Sequence, residues 1–512
     1  MGKGAGGLGK SGLAYLLLVL ALATTGRAQT PRPHTPPIAY YGIYLAQGKL
    51  GSATIVRDLH ATRAGHAAIR TEMAMHMILN VGGQSNKIDT TDITYTDAKS
   101  GAPLASENRT VASGRVTDVK ATYTANSLTY DSDVQGAKKT ATITLAPGQH
   151  FLVDPTDGAD IKPAVGMKVA GKVFVPDLFQ LVDAEVEVVG KETVTVSGTA
   201  VSAFKIIDRN SIESSTLFAS EDGDLLRIDN AVAGIPMQIR KEPQAVAEAA
   251  PGANATPDIV ALTTIRPTGA SMGDARTASS ITYRLSGVTR ALAPTDSVQT
   301  VTYAGAIPGA GGASVAGAAD VTVHARALPR RADAVLYARP ADAPANLRPF
   351  LEASPYVAAG DPAFRALAQK VLAGETNCAR AARKIAAYVH RTVKPDPSIA
   401  ALRTATDVLS DPRGVCRDYT ALFAAIARSA GLPTKECVGL GYADGAFLGH
   451  AWPEVWVGRD EDGRDEWFAL EPTWGVPFAD ATHIKLAEGE ITDFFAVAAD
   501  LGKYKIQVLK VE

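Results

Sequence analysis

Cysteine is scarce in this chain: Cys378, Cys416 and Cys437 are three thiols in 512 residues. An odd count leaves at least one of them free, whatever the other two do. Cys378 and Cys437 are open to pairing with each other, or to burial as two small apolar residues. Charge imbalance is lacking too. A formal net charge of −2 gives no reason to expect nucleic acid or an anionic membrane as a partner. Long apolar runs are missing except near the start, where residues 13–23 have the length of a secretory h-region and fall short of a comfortable bilayer span. No later segment is long and apolar enough, so no transmembrane span is expected in the mature chain. Aromatic residues are sparse at 6%, but 46% hydrophobic and 20% charged residues make the composition globular, and the length suits several domains.

Lys3 and Lys10 precede the apolar run, and Gly26-Arg27-Ala28 supplies small residues at the cleavage positions. Residues 1–28 therefore read as a signal peptide, which sends the protein to a periplasmic or extracellular location. The stretch Gly4-Ala5-Gly6-Gly7-Leu8-Gly9-Lys10-Ser11 satisfies the P-loop pattern letter for letter. It has no room for a strand before it and an export h-region after it, so nucleotide binding is not expected.

Residues 29–37 are proline-rich and read as a tether. From residue 38 the pattern is one of short alternating segments with Gly and Asp turns, so 38–244 is expected to be an antiparallel β domain, sandwich-like or a curved sheet. Met73, Met75 and Met77 share one side of a strand; core packing explains that stripe better than a soft metal. Residues 245–257, rich in Ala, Pro and Gly, read as a linker. A small β segment is expected over 258–335, with strands at 259–265, 280–285 and 298–303. A third region, 345–512, opens with helical periodicity. Asp361 caps a first helix with Pro362 in its first turn, and Thr376 caps a second.

The chemistry concentrates between Gly414 and Gly475. Tyr419, Leu422, Phe423, Ile426 and Ala430 recur at helical spacing, so 416–430 is expected to be an amphipathic helix stopped by Gly431 and Pro433. Cys416 then lies in the first turn, where the helix dipole favours a thiolate. His450, Trp452, Glu454 and Trp456 alternate with a period of two, so His450 should open a strand. A second strand over 466–470 follows an acidic turn containing Asp462-Gly463, and Glu471-Pro472 ends it. Such a hairpin lets His450 and Glu471 meet. The three residues read as a nucleophilic site in which His450 takes the Cys416 proton and Glu471 fixes the ring. Trp452 is a candidate wall of the acyl-binding groove. Asp418 favours the helix start, and His390 and His483 read as structural. Zinc on Cys416, His450 and Glu471 is chemically conceivable, but the motifs lack paired close ligands, so neither metal nor cofactor is expected.

Gly414-Val415-Cys416-Arg417-Asp418, His450-Ala451-Trp452-Pro453-Glu454-Val455 and Glu471-Pro472-Thr473, with Gly431-Leu432-Pro433 between the first two, resemble the transglutaminase-like superfamily. The resemblance runs from about residue 350 to the C-terminus. It implies an α+β, papain-like C-terminal domain preceded here by antiparallel β domains, with Cys416, His450 and Glu471 as the triad. The family's usual Asp is Glu471 here, one methylene longer. Pro453 stands where a strand former is usual, which predicts a sheet edge or a broken ladder. The implied activity is acyl chemistry on an amide of a protein or peptide, through a thioester. Hydrolysis is the first reading and lysine cross-linking the second; a catalytically vestigial envelope-binding or scaffold protein is the third. The β half has no chemistry of its own in the sequence and would engage a cell-envelope partner.

Overall fold

The computed structural model describes residues 36–112, 114–152, 163–210, 214–251, 256–288, 295–303, 317–325, 334–399, 402–489, 497 and 501–512. The signal-peptide and P-loop segments lie outside those residues. Two compact units divide the chain, one ending at Asp258 and the other running from Ile259 to Glu512. Among the described residues no helix is long and apolar enough to cross a membrane.

Among the described residues the first unit is one antiparallel sheet of 14 strands, from β1 (Ile38–Leu45) to β14 (Ile235–Lys241), in which two runs of consecutive strands join where β1, already paired with β2 (Gly48–Arg63), pairs with β14. Its hairpins explain its regularity. Ala64-Gly65, Gln135-Gly136, Ser197-Gly198 and Ala233-Gly234 each place two successive residues at positive φ, the two-residue turn whose twist matches paired strands. The sheet curls on itself: Tyr130 of β7 (Ser127–Val134) stacks on Phe174 of β9 (Lys168–Val175) at 5.2 Å, although these strands lie near opposite ends of the sheet order. Met73, Met75 and Met77 are all buried on the inner face. Strand β10 (Gln180–Val196) runs on as one strand through a bulge between Val188 and Gly190.

The second unit packs helices against two sheets, an α+β architecture. Residues Ile259–Thr263 form a short helix and not the strand expected at 259–265. Buried Ile259 and Thr263 lie four apart on one helical face. Strands β16 (Ser280–Val288), β17 (Gln299–Tyr303) and β18 (Gly317–His324) share a five-stranded sheet with β25 (Lys505–Val511), so the end of the chain completes the sheet begun at 268. Helices α1 (Pro362–Leu372), α2 (Cys378–Thr392), α3 (Ala405–Ser410) and α4 (Cys416–Ser429) surround a core that includes Phe364, Ile385, Val408, Leu422 and Phe423. Asp361 caps α1 by accepting the Ala363 N–H. The cap of α2 is Asn377, which accepts the Arg380 N–H at 3.1 Å, and not Thr376.

A four-stranded sheet lies against α4 in the order β23 (Asp465–Ala469), β22 (Ala446–Arg459), β21 (Thr434–Ala443), β24 (His483–Gly489). The strand bearing His450 is therefore interior and begins at Ala446, because the Asp444-Gly445 turn pairs Ala446 with Ala443. Pro453 sits inside it, not at a sheet edge. Its carbonyl accepts the Leu470 N–H at 2.9 Å, and the ladder to β23 starts only at Glu454. A residue's N and C=O face the same neighbour in a ladder. The missing N–H of Pro453 faces Leu470, so that pair keeps only the Leu470 N–H bond and the ladder to β23 is broken there, as expected.

Candidate active site

Helix α4 is the most deeply buried helix of the unit; every residue from Cys416 to Arg428 is buried. Val415 has no side chain that can cap it, so Asp418 reaches back and accepts the Val415 N–H at 2.8 Å. The carboxylate also accepts from Arg403 Nε at 3.1 Å, both side chains being almost wholly buried. Gly414 serves this approach. A Cβ there would lie 2.5 Å from an Asp418 oxygen, so it is closeness and not a left-handed turn that requires glycine. Cys416 is thereby fixed at the N-terminal end of α4, 6% exposed. It lines a cleft of about 40 Å³ together with Pro395, Leu448, His450, Thr473 and Trp474.

His450 projects from β22 and is itself buried. Its Nε2 lies 2.7 Å from Glu471 Oε2, which leaves Nδ1 for the thiol of Cys416, with which His450 lines the cleft. The indole of Trp474 stacks on the imidazole at 4.3 Å and 11°, and Arg276 lies 4.8 Å over that indole. Gly441 makes room for the stack, since a Cβ there would meet Trp474 at 2.7 Å and His450 at 3.2 Å. Burial pulls the His450 pKa down, but the Glu471 charge, the hydrogen bond that the ring donates to Glu471 and the nearby Cys416 sulfur more than offset it and raise it to about 10.

Glu471 is fully buried and uses both oxygens. Oε1 accepts the N–H groups of Thr473 and Trp474 at 2.9 and 3.0 Å. Oε2 accepts from His450 and, at 3.1 Å, from His483 Nε2. Burial alone would raise its pKa; the charges and hydrogen bonds of the two histidines hold it well below the usual carboxylate range. The turn after Glu471 is pinned from outside. His390 Nδ1 lies 3.0 Å from the Pro472 carbonyl, and a Cβ on Gly475 (φ +70°) would come within 2.4 Å of that imidazole.

The structure thus brings Cys416, His450 and Glu471 together and keeps Trp452 out of the cleft. Trp452 is 1% exposed and packs behind the site with Cys437, Ala469 and Ala479. Residue 452 shares the face of His450 on β22, but that face turns inward two residues along. The indole at the cleft is Trp474, to which the sequence analysis gave no role. His483 was missed as well. Its signal was Asp480-Ala481-Thr482-His483, in which Asp480 accepts the Thr482 N–H at 2.9 Å, a side-chain turn that fixes the residue next to it.

Among the described residues two clusters have metal-ligand chemistry. In His450, Glu471 and His483 the spacings of 2.7 and 3.1 Å are those of hydrogen bonds. In Cys437, Glu454 and Glu488 the Lys485 ammonium already holds both carboxylates, at 2.9 and 2.6 Å. All three cysteines are free thiols.

Residues 365–472 match the family model described as the transglutaminase-like superfamily. No curated protein matches the chain. Among solved structures, a "putative cysteine protease" from Cytophaga hutchinsonii is 18% identical with a TM-score of 0.29, over 46% of this chain and 86% of that one. A beta-barrel-like protein of a domain of unknown function from Brucella abortus is 13% identical with a TM-score of 0.30, over 40% of this chain and 95% of that one. A "putative protease" from Parabacteroides distasonis is 13% identical with a TM-score of 0.20, over 80% of this chain and 69% of that one.

Proposed function

We propose, from a segment 365–472 that belongs to the transglutaminase-like superfamily, that this protein hydrolyses an amide of a protein or peptide through a thioester on Cys416. The observation that carries this reading is that Cys416 and His450 line one cleft and His450 bonds a carboxylate with four hydrogen-bond donors. His450 accepts the Cys416 proton, and the thiolate sulfur attacks the amide carbonyl. The C–N bond breaks as the imidazolium returns its proton to the departing amine, leaving an acyl thioester. Water then attacks the thioester, His450 takes its proton, the C–S bond breaks, and the acid leaves as the thiol is restored. Helix geometry leaves the Cys416 N–H without an intrahelical acceptor, so it is placed to hold the carbonyl oxygen as charge develops there.

A lysine amine in place of water would give a cross-link from the same thioester. A glutamine-containing peptide incubated with the protein, with and without added primary amine, separates the two. Mass spectrometry is expected to show cleaved or deamidated peptide, no amine adduct, and no product from Cys416→Ala. An adduct that displaces the hydrolysis product would assign transamidation instead. Turnover by neither route, with native folding intact, would leave the third reading, a vestigial triad in an envelope-binding or scaffold protein. The reading also places the chain outside the cytoplasm, on the strength of the apolar run at 13–23 behind Lys3 and Lys10.

A further inference from the structure

Glu471 Oε2 receives two imidazoles, and the triad needs only one of them. We propose that His483 is a positioning residue for the reaction: it holds the Glu471 carboxylate in the orientation that steers His450 toward Cys416. This rests on the thioester reading above.

His483 is 3% exposed, with its Nε2 at 3.1 Å from Glu471 Oε2. A carboxylate only accepts, so His483 donates. Its other nitrogen is held too: Nδ1 lies 3.3 Å from the Asp480 carbonyl and 3.4 Å from the Asp480 carboxylate. Asp480 is anchored in turn by the Thr482 N–H at 2.9 Å and by Arg276 Nη1 at 3.3 Å. The ring also meets Trp452 edge-on at 5.4 Å and Trp474 at 4.9 Å. It is clamped from every side and presents one N–H to the acid. Its backbone is fixed by pairing with Gly441 in β21, the strand whose Gly439 pairs with His450. Both imidazoles therefore sit on one rigid sheet, with Glu471 between them.

This arrangement accounts for the glutamate. An aspartate at 471 would draw the carboxylate back by about one C–C bond, roughly 1.5 Å. The two N–H bonds on Oε1 and the two imidazoles on Oε2 could not then all be kept. The longer side chain suits an acid that bridges two rings. Partners that orient a reactive group from behind typically matter by about 10–100-fold.

The test is the pH–rate profile of Cys416 alkylation by iodoacetamide in the full chain. It reads the sulfur and His450 directly and needs no substrate. His483→Ala should slow alkylation at neutral pH by about tenfold or more and move the rising limb, on which the thiolate paired with His450 forms, to higher pH. His483→Gln, which keeps a neutral N–H donor, should stay within about threefold of wild type. In a Glu471→Asp background, where the bridge is already broken, either His483 substitution should cost little more. A folded His483→Ala with wild-type rate and limb overturns the inference and leaves the triad standing. So do effects of His483→Ala and Glu471→Asp that simply add, and if His483→Ala does not fold, a folded His483→Leu, which fills the site without a donor, takes its place in the cycle. A native chain in which Cys416 reacts no faster than a buried thiol sinks the thioester reading and the inference together.

Discussion

At Glu471 the two neighbouring histidines and two backbone N–H groups outweigh the cost of burying a charge, and that balance has a pH signature. His450 carries a raised pKa of about 10 against an ordinary 6.5. Its contribution to stability is complete below about pH 6.5 and is lost as pH rises toward 10. Glu471 is depressed below its ordinary 4.5. Its contribution is complete above that value and is lost as pH falls toward the depressed one. The pair should therefore stabilise the fold most between about pH 4.5 and 6.5. Glu471→Gln should lower the urea midpoint most in that window, flatten its dependence on both sides, and cut turnover by about 10²–10⁴-fold. A midpoint profile parallel to wild type would contradict the coupling. Cys416, His450 and Glu471 were legible in the sequence because each sits beside residues that fix its local structure: a helix start, an alternating strand, a proline stop. His483 and Trp474 were not, because what makes them part of the site is a partner across the sheet or across a turn, and no local pattern encodes that.

Helix α4 illustrates how an element sets a side chain. Its apolar spacing marked the helix to within a residue of its end, but not what starts it. The start depends on Asp418, which caps Val415 and pairs with buried Arg403, a residue 15 positions earlier. Asp418→Asn should destabilise the unit by about 3–5 kcal/mol, because it strips the charge that compensates a buried guanidinium. It should also slow Cys416 alkylation, since the first turn loses its anchor. Chemical denaturation measures the first effect; an unchanged midpoint would mean Arg403 finds its compensation elsewhere. The same reasoning explains the strands that periodicity missed. In β4 (Gln84–Asp97) and β5 (Pro103–Ala112) the inward residues include Asn86, Thr90, Asp92, Ser106 and Asn108. Asn108 donates to Asp92 at 2.6 Å, and burial raises the Asp92 carboxyl to about 8. A polar inner face erases the apolar alternation by which a strand is recognised.

At the scale of the molecule, the second unit is one piece because distant segments of chain are tied into it. Lys485 on β24 holds Glu454 and Glu488 and also pairs with Asp296, just ahead of β17. The Gln299 side chain bonds the Lys485 backbone at 2.9 and 3.1 Å. The two sheets of the unit are joined there, and β25 completes the larger one only when the whole chain is present. Sequence reasoning separated 258–335 from the helical region at 345–512 because neither the β16–β25 pairing nor the Lys485 cluster leaves a local trace. In this molecule three thiols are held in three different ways. Burial pushes Cys378 up to about 12 and Cys437 well above its ordinary value. Cys416 alone among them lines the cleft, together with His450. Counting thiols modified by iodoacetamide at neutral pH, with peptide mapping before and after denaturation, tests this directly. The expected result is rapid stoichiometric labelling of Cys416 in the native chain, its loss of selectivity in His450→Ala, and labelling of all three cysteines once unfolded. Native labelling that is equally slow at Cys378, Cys416 and Cys437 would contradict the account.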